Sequence, residues 1–142
     1  KQSRTPHYGR MNMFFYDPKG RKTLPYYDTF PLVLPIERYP DGFLGINFHY
    51  LPMALRLKLL DRIVDFSNNT KFDESTIINA DYAKLKNIKE IKPTLKRYLA
   101  GRVKTRFRRV DADEFTVAAL LPIARWKKGT QQDVYRDSRK MI

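Results

Sequence analysis

The sequence predicts an α+β fold: a small antiparallel, aromatic-rich sheet or partly open barrel packed with short helices, with an extended N-terminal arm. Three observations carry that expectation. Eleven of the nineteen aromatic residues fall in the first fifty positions, among repeated turn signals, and rings in that density fill the core of a small curved sheet. A proline-opened amphipathic stretch follows Pro52. Later, RVKTRFRRV at 102–110 switches from helical to period-two spacing.

Residues 1–12, KQSRTPHYGRMN, are polar, basic and punctuated by Pro6 and Gly9. They read as an extended arm or as a linker from an upstream region, since the chain starts at Lys1 rather than Met. Residues 13–142 read as one α+β domain, long enough to bury a core. MNMFFY leads into Asp17-Pro18-Lys19-Gly20, whose proline and glycine fit a type I turn. The next run, TLPYYDTFPLVLPIERY, carries Pro25, Pro31 and Pro35, which cannot donate to a central ladder, so it is expected to be an irregular or edge strand. Pro40-Asp41-Gly42 turns the chain into FLGINFHYL, where Phe43, Ile46, Phe48 and Tyr50 invite a strand.

Pro52 opens a helix over Met53 to Phe66, because the first helical turn does not need its missing N–H. Leu55, Leu59, Leu60 and Ile63 share its apolar face, and Arg56, Lys58 and Arg62 are expected mainly elsewhere. The segment DESTIINADYAKLKNI reads as one or two short helices, separated near Asn79 to Asp81. Pro93 opens a further expected helix, TLKRYLA, with Leu95, Tyr98 and Leu99 on one side, Lys92, Lys96 and Arg97 on the other, and Gly101 as its stop. In RVKTRFRRV the alternation sends Arg102, Lys104, Arg106 and Arg108 to one face and Val103, Thr105 and Phe107 to the other. Asp111 and Glu114 have capping-box spacing. TVAALLPI fits a short helix or a buried strand, and Pro122 closing a continuous apolar run tips the expectation to strand. RWKKGTQQ is a polar loop with Trp126 as a packing anchor, and DVYRDSRKMI is a terminal helix with Val134, Ser138 and Met141 on one face.

Charge is the strongest functional clue. Twenty-eight Lys and Arg against fifteen Asp and Glu give a net charge of +13 and an isoelectric point near 10.0, more than solubility requires. Residues 84–109 hold eleven basic side chains and a single acid, Glu90. A polyanion is the expected partner: a nucleic-acid backbone, whose counterions Lys and Arg displace, or an acidic protein in an assembly. Like charges lined along one strand face repel one another, so the candidate binding residues are Lys92, Lys96, Arg97, Arg102, Lys104, Arg106 and Arg108. A charged margin that blocks edge pairing is the structural alternative. A membrane surface is not expected, because the basic residues do not oppose one long apolar helical face.

Chemistry is poorly represented. Without cysteine and with only His7 and His49, thiolate zinc sites, iron–sulfur clusters and cysteine nucleophiles are excluded. No glycine fingerprint cradles a phosphate, and neither Ser67 nor Ser138 has a base nearby in sequence. His49 is expected to be a satisfied core histidine, packed against Tyr50 or Phe48. Tyr26 and Tyr27 are the aromatic residues singled out for stacking on bases, although bulky core filling is the simpler reading. A magnesium-dependent nuclease is the alternative enzyme class; Asp111, Asp113 and Glu114 would hold the ion, with Lys104 beside the phosphate. Turn and cap roles explain those acids as well, so the chain reads as a binder or structural component, with no cofactor.

The run MNMFFYDPKGRKTLPYYDTFPLVLPIERYPDGFLGINFHYLP, the ALRLKLLD helix, KPTLKRYLAGRVKTRF and the VYRDSRKMI ending together resemble a family of small virion proteins from T4-like contractile-tailed bacteriophages. The resemblance covers almost the whole chain from Met11 onward. Members are labelled DNA end protector or virion structural protein. The first label implies a protein at the end of packaged DNA near the head–tail junction, shielding it from host exonuclease. The second implies a non-catalytic tail, baseplate or head–tail component whose basic surface at 84–109 docks on an acidic neighbour, among virion proteins present in several copies in a symmetric particle. Both imply residence in the virion, after assembly in the host cytoplasm. The resemblance assigns no individual residue a role.

Overall fold

The computed structural model describes residues 2–8, 10–68 and 88–142. Among these residues the strands are β1 (Gln2–Ser3), β2 (Met11–Met13), β3 (Tyr27–Asp28), β4 (Leu32–Tyr39), β5 (Gly42–Asn47), β6 (Leu95–Leu99), β7 (Phe107–Val110) and β8 (Trp126–Lys127). The helices are α1 (Met53–Asn68), α2 (Phe115–Leu120) and α3 (Gln131–Met141). Six strands form one antiparallel sheet in the order β1-β7-β2-β4-β5-β6, and β3 pairs with β8 in a separate ribbon. This is the α+β architecture that the sequence indicates, with an open rather than closed sheet. The short helices expected between 73 and 87, and with them Asp73, Glu74 and Asp81, lie outside the described residues.

Opposed residues of an antiparallel pair share a face, and both faces of this sheet are buried. Met11, Leu32, Leu34 and Ile46 meet Leu59, Leu60 and Ile63 of α1 and Ala118 of α2. On the reverse, Phe14, Val33, Phe43, Tyr98 and Phe107 gather with Tyr16. Phe14 stands at the centre of that aromatic cluster, edge-on to Phe107 at 4.8 Å and to Tyr98 at 5.5 Å between ring centroids. Tyr50, Val134 and Tyr135 form a third cluster under α3, against which Trp126 packs as the expected anchor.

Several expectations need correction. The proline-bearing run forms β3 and β4; β4 is irregular, one of the two expected alternatives, but it lies inside the sheet rather than at its edge. Pro35 is tolerated because the registered pairs with β2 stop at Val33, and the ladder with β5 shifts between Pro35 and Glu37. The expected helix after Pro93 is instead the strand β6; Pro93 sits inside a 3-10 turn, Lys89–Thr94, that feeds it. Tyr98 therefore faces away from Leu95 and Leu99. Gly101 stops no helix and lies in the 3-10 turn Ala100–Arg102. Gly42 permits the pairing of β5 and β6 at this distance, since a Cβ there would run into the Tyr98 carbonyl oxygen.

TVAAL is helical, not extended, in α2, and Leu121 just after it is extended. The small side chains of Ala118 and Ala119 are buried, which lets α2 approach α1, and Pro122 ends a helix rather than a strand. The capping box is not formed. Glu114 gives α2 no side-chain cap, and only its backbone N–H bonds to the Asp111 carbonyl, at 2.9 Å. The first turn begins one residue later than expected, with Arg21 N donating to the Pro18 carbonyl at 3.3 Å.

α1 starts where Pro52 places it, with the Leu55 and Arg56 N–H groups bonded to the Pro52 carbonyl. Arg56, however, is not on the polar side; it is 1% exposed and spreads its guanidinium over the carbonyls of Leu51, Ala119 and His49 and the phenol of Tyr135. α3 opens with a Thr130–Asp133 capping box and buries Val134, Tyr135 and Ser138, while Met141 remains 51% exposed. Among the described residues, no helix is long and apolar enough to cross a membrane.

Candidate nucleic-acid interface

The N-terminal segment shapes the basic surface. Gln2 and Ser3 extend along β7, opposite Arg108 and Phe107, and Met11 to Met13 pair on the other side of β7. Buried Asn12 closes the loop between them, accepting from the His7 N–H at 2.8 Å and donating to the carbonyls of His7 and Arg10. Gln2–Ser3 and Met11–Met13 are thus strands of the sheet itself.

Residues 102–105 do not continue β7. They are pinned instead to residues 15–17: Lys104 N donates to the Phe15 carbonyl at 2.8 Å, Phe15 N to Thr105 Oγ1 at 3.0 Å, and Asp17 N to the Arg102 carbonyl at 3.1 Å. Val103 bridges Tyr16 and packs on the aromatic cluster. The consequence is a fixed backbone under an exposed, basic stretch.

That geometry splits the seven residues marked in the sequence. Arg102 is turned inward, its Nε on the Asp17 carbonyl at 2.8 Å and its Nη2 on the Asp17 carboxylate at 2.9 Å. Arg97 binds Asp41 at 2.6 Å and lies over the Tyr39 ring at 4.4 Å. Lys96 rests its ammonium over the Tyr50 ring at 4.1 Å, and burial holds it below the ordinary lysine range. Lys92 is exposed in the 3-10 turn before β6. Lys104, Arg106 and Arg108 are exposed, and none of the three is held in an ion pair among the described residues. The single ribbon face expected from alternation is therefore not present; only Phe107–Val110 is strand.

Two grooves flank the pinned segment. One, of about 570 Å³, is lined by Arg106 together with Arg4 and Arg38, beside Tyr8, Tyr39 and Phe107. The other, of about 820 Å³, takes Lys104 with Arg21, Arg125 and Lys127 beside Tyr27 and Trp126. Its acid, Asp17, is already bound by Arg21 and Arg102, and those guanidiniums hold its carboxyl below the usual range, the hydrogen bond from Arg21 contributing most. Arg4, Arg38, Arg125 and Lys127 are missing from the sequence reading because no local period links them to 102–108. The only signal was the basic character of the N-terminal segment. Of the two tyrosines marked for stacking, Tyr27 borders this second groove, whereas Tyr26 packs edge-on to Trp126 and donates to Asp137.

Among the described residues the acids make no metal-binding cluster: no three His, Cys, Asp or Glu side chains come together to hold a metal ion. Asp111 pairs with Arg109 at 2.9 Å. His49 is fully buried and bonds through Nδ1 to Asp28 Oδ2 at 2.7 Å. A carboxylate only accepts, so Nδ1 carries the proton. Asp28 also receives the N–H groups of Phe30 and Arg125. Burial alone would raise its carboxyl, but the His49 bond and charge and those two N–H groups outweigh it and hold the carboxyl below its ordinary value. This is a structural junction between β3, β5 and the 3-10 turn Phe48–Tyr50, as the core-histidine reading expected.

Residues 1–139 match the family described as phage T4 terminal DNA protecting protein. Neither a curated protein nor a solved structure matches the chain.

Proposed function

This chain belongs to the phage T4 terminal DNA protecting protein family, and on that premise we propose that this virion protein binds the end of the packaged genome through Lys104, Arg106 and Arg108 and covers it against exonucleases. The observation that carries the reading is the pinned 102–105 segment, which fixes the backbone at Lys104 and leads directly into Arg106 and Arg108, three exposed cations without ion-pair partners among the described residues. Such cations neutralise backbone phosphates and release condensed counterions. Phosphates carry no sequence information, so the contact suits a protein that must hold whatever sequence stands at the end. Arg97 and Arg102 act differently: they fasten the scaffold on which the other cations stand. The same reading puts the chain near the head–tail junction, among other virion proteins in several copies.

Digestion of a linear duplex by an exonuclease tests this. Wild-type protein should protect the ends, and the combined variant Lys104→Ala, Arg106→Ala, Arg108→Ala should lose that protection while keeping its melting temperature. Absence of protection by wild type, or equal protection by the variant, overturns it.

A second reading places an acidic virion protein against the basic surface. The exposure of Val117, 62%, and Leu121, 41%, at α2 and just beyond it favours a protein neighbour on part of the chain. Under that reading, DNA affinity is weak and the triple variant loses a protein contact instead.

A further inference from the structure

The groove that holds Arg106 has a charge pattern that the backbone-clamp reading does not use. β1 and β7 are in register at Ser3 and Phe107, and the next residue outward on each chain is an arginine, Arg4 and Arg106, both lining the groove. Arg38 joins them from β4, its guanidinium 4.8 Å from the Tyr8 ring centroid. No acid lines this groove, and no ion pair engages Arg4, Arg38 or Arg106 among the described residues. Like charges placed this way repel one another, so an anion beside them would be stabilising. The walls add Tyr8 and Tyr39, both half-buried, over a floor that includes buried Phe43 and Phe107. Arginine beside aromatic rings in a concave site is the equipment with which proteins hold unpaired nucleotides.

We infer that this groove receives the terminal nucleotide of a DNA strand, unpaired from its complement, with Arg4, Arg38 and Arg106 on its phosphate and the base against the Tyr8–Tyr39 wall. The inference rests on the DNA-end reading above and deepens it, because it supplies preference for an end over the rest of the duplex. A volume of about 570 Å³ lies in the range of small-ligand clefts and is too small for a duplex. An internal base would have to be unstacked on both sides and unpaired before entering, at a cost of several kcal/mol. A frayed terminal base avoids most of that cost, so the groove selects ends.

The test compares a covalently closed DNA minicircle with its linearised form, each competing against a fluorescent linear duplex. Wild-type protein should favour the linear form by about tenfold, the scale of one stacked base. Arg4→Ala with Arg38→Ala should remove that preference and leave affinity for the circle unchanged, and Arg4→Gln with Arg38→Gln should do so as well. Both arginines are exposed, and relief of their mutual repulsion should leave the melting temperature unchanged or raised. Equal binding of circle and linear DNA by wild type, or a preference that survives both variants, overturns the groove assignment while the backbone contact stands. Failure of wild type to bind either DNA overturns the DNA-end reading and the groove with it.

Discussion

Arg102 and Asp17 grip one another through two bonds, the guanidinium Nε on the Asp17 carbonyl and Nη2 on its carboxylate. The pair takes one cation of the basic stretch out of reach of a ligand and uses it to fix the backbone that presents Lys104 and Arg106. Position in sequence and availability for binding are thus separate properties in this stretch.

The variants should divide accordingly. Alanine at Lys104, Arg106 or Arg108 should weaken binding equally for all DNA sequences and lower the salt slope of binding by about one unit each. Arg102→Ala should leave the salt slope unchanged and lower the melting temperature. Binding isotherms across a salt series, with melting curves of the same proteins, check both halves.

Arg56 is a stability determinant without a carboxylate partner. Its donors satisfy the buried carbonyls of Leu51, Ala119 and His49, and burial holds its guanidinium below the usual arginine range. Arg56→Met keeps similar bulk and orphans those acceptors, each costing about 1–3 kcal/mol when left unpaired. Urea denaturation should show a loss of at least about 3 kcal/mol; a loss below about 1 kcal/mol would mean that the carbonyls find other partners.

The Asp28–His49 junction makes stability depend on pH in acid. Asp28 is depressed in the folded state, so the unfolded chain takes up its proton first. The stabilisation is full above the unfolded carboxyl value of about 3.9 and is lost as pH falls through the lower folded value. Asp28→Asn should flatten stability against pH in that window, a difference that thermal melts from pH 6 down to pH 2.5 can measure.

Gly42→Ala tests the close approach of β5 and β6. The added methyl meets the Tyr98 backbone rather than a movable side-chain end, so the strands must separate. A loss of about 3 kcal/mol is expected, with increased hydrogen exchange at Tyr98 and Leu99. A variant as stable as wild type would show that β6 yields at no cost.

Much of this architecture was legible in local pattern. Pro52 marked the start of α1, the aromatic density marked the sheet, and the terminal helix expected over DVYRDSRKMI is α3, which begins two residues earlier at Gln131. The failures share a cause. TLKRYLA satisfies both a helical and an alternating pattern, and the strand is realised by pairing with β5, about fifty residues away in the chain. Arg56 looked polar by spacing because the acceptors that bury it lie outside α1, at His49 and Leu51 and in α2 and α3. Of the basic surface, the 104–108 segment was readable from its charge density. Its division into gripped and available cations was not, since Asp17, Asp41 and Tyr50 reach Arg102, Arg97 and Lys96 only through tertiary contacts.

Density for the intact particle tests the central claim most directly, through what lies within contact distance of Lys104, Arg106 and Arg108. A DNA terminus against these residues, with its last nucleotide in the groove of Arg4 and Arg38, is the expected result. An acidic protein surface there, with the genome end elsewhere, would contradict the DNA-end reading and make the basic stretch an assembly contact.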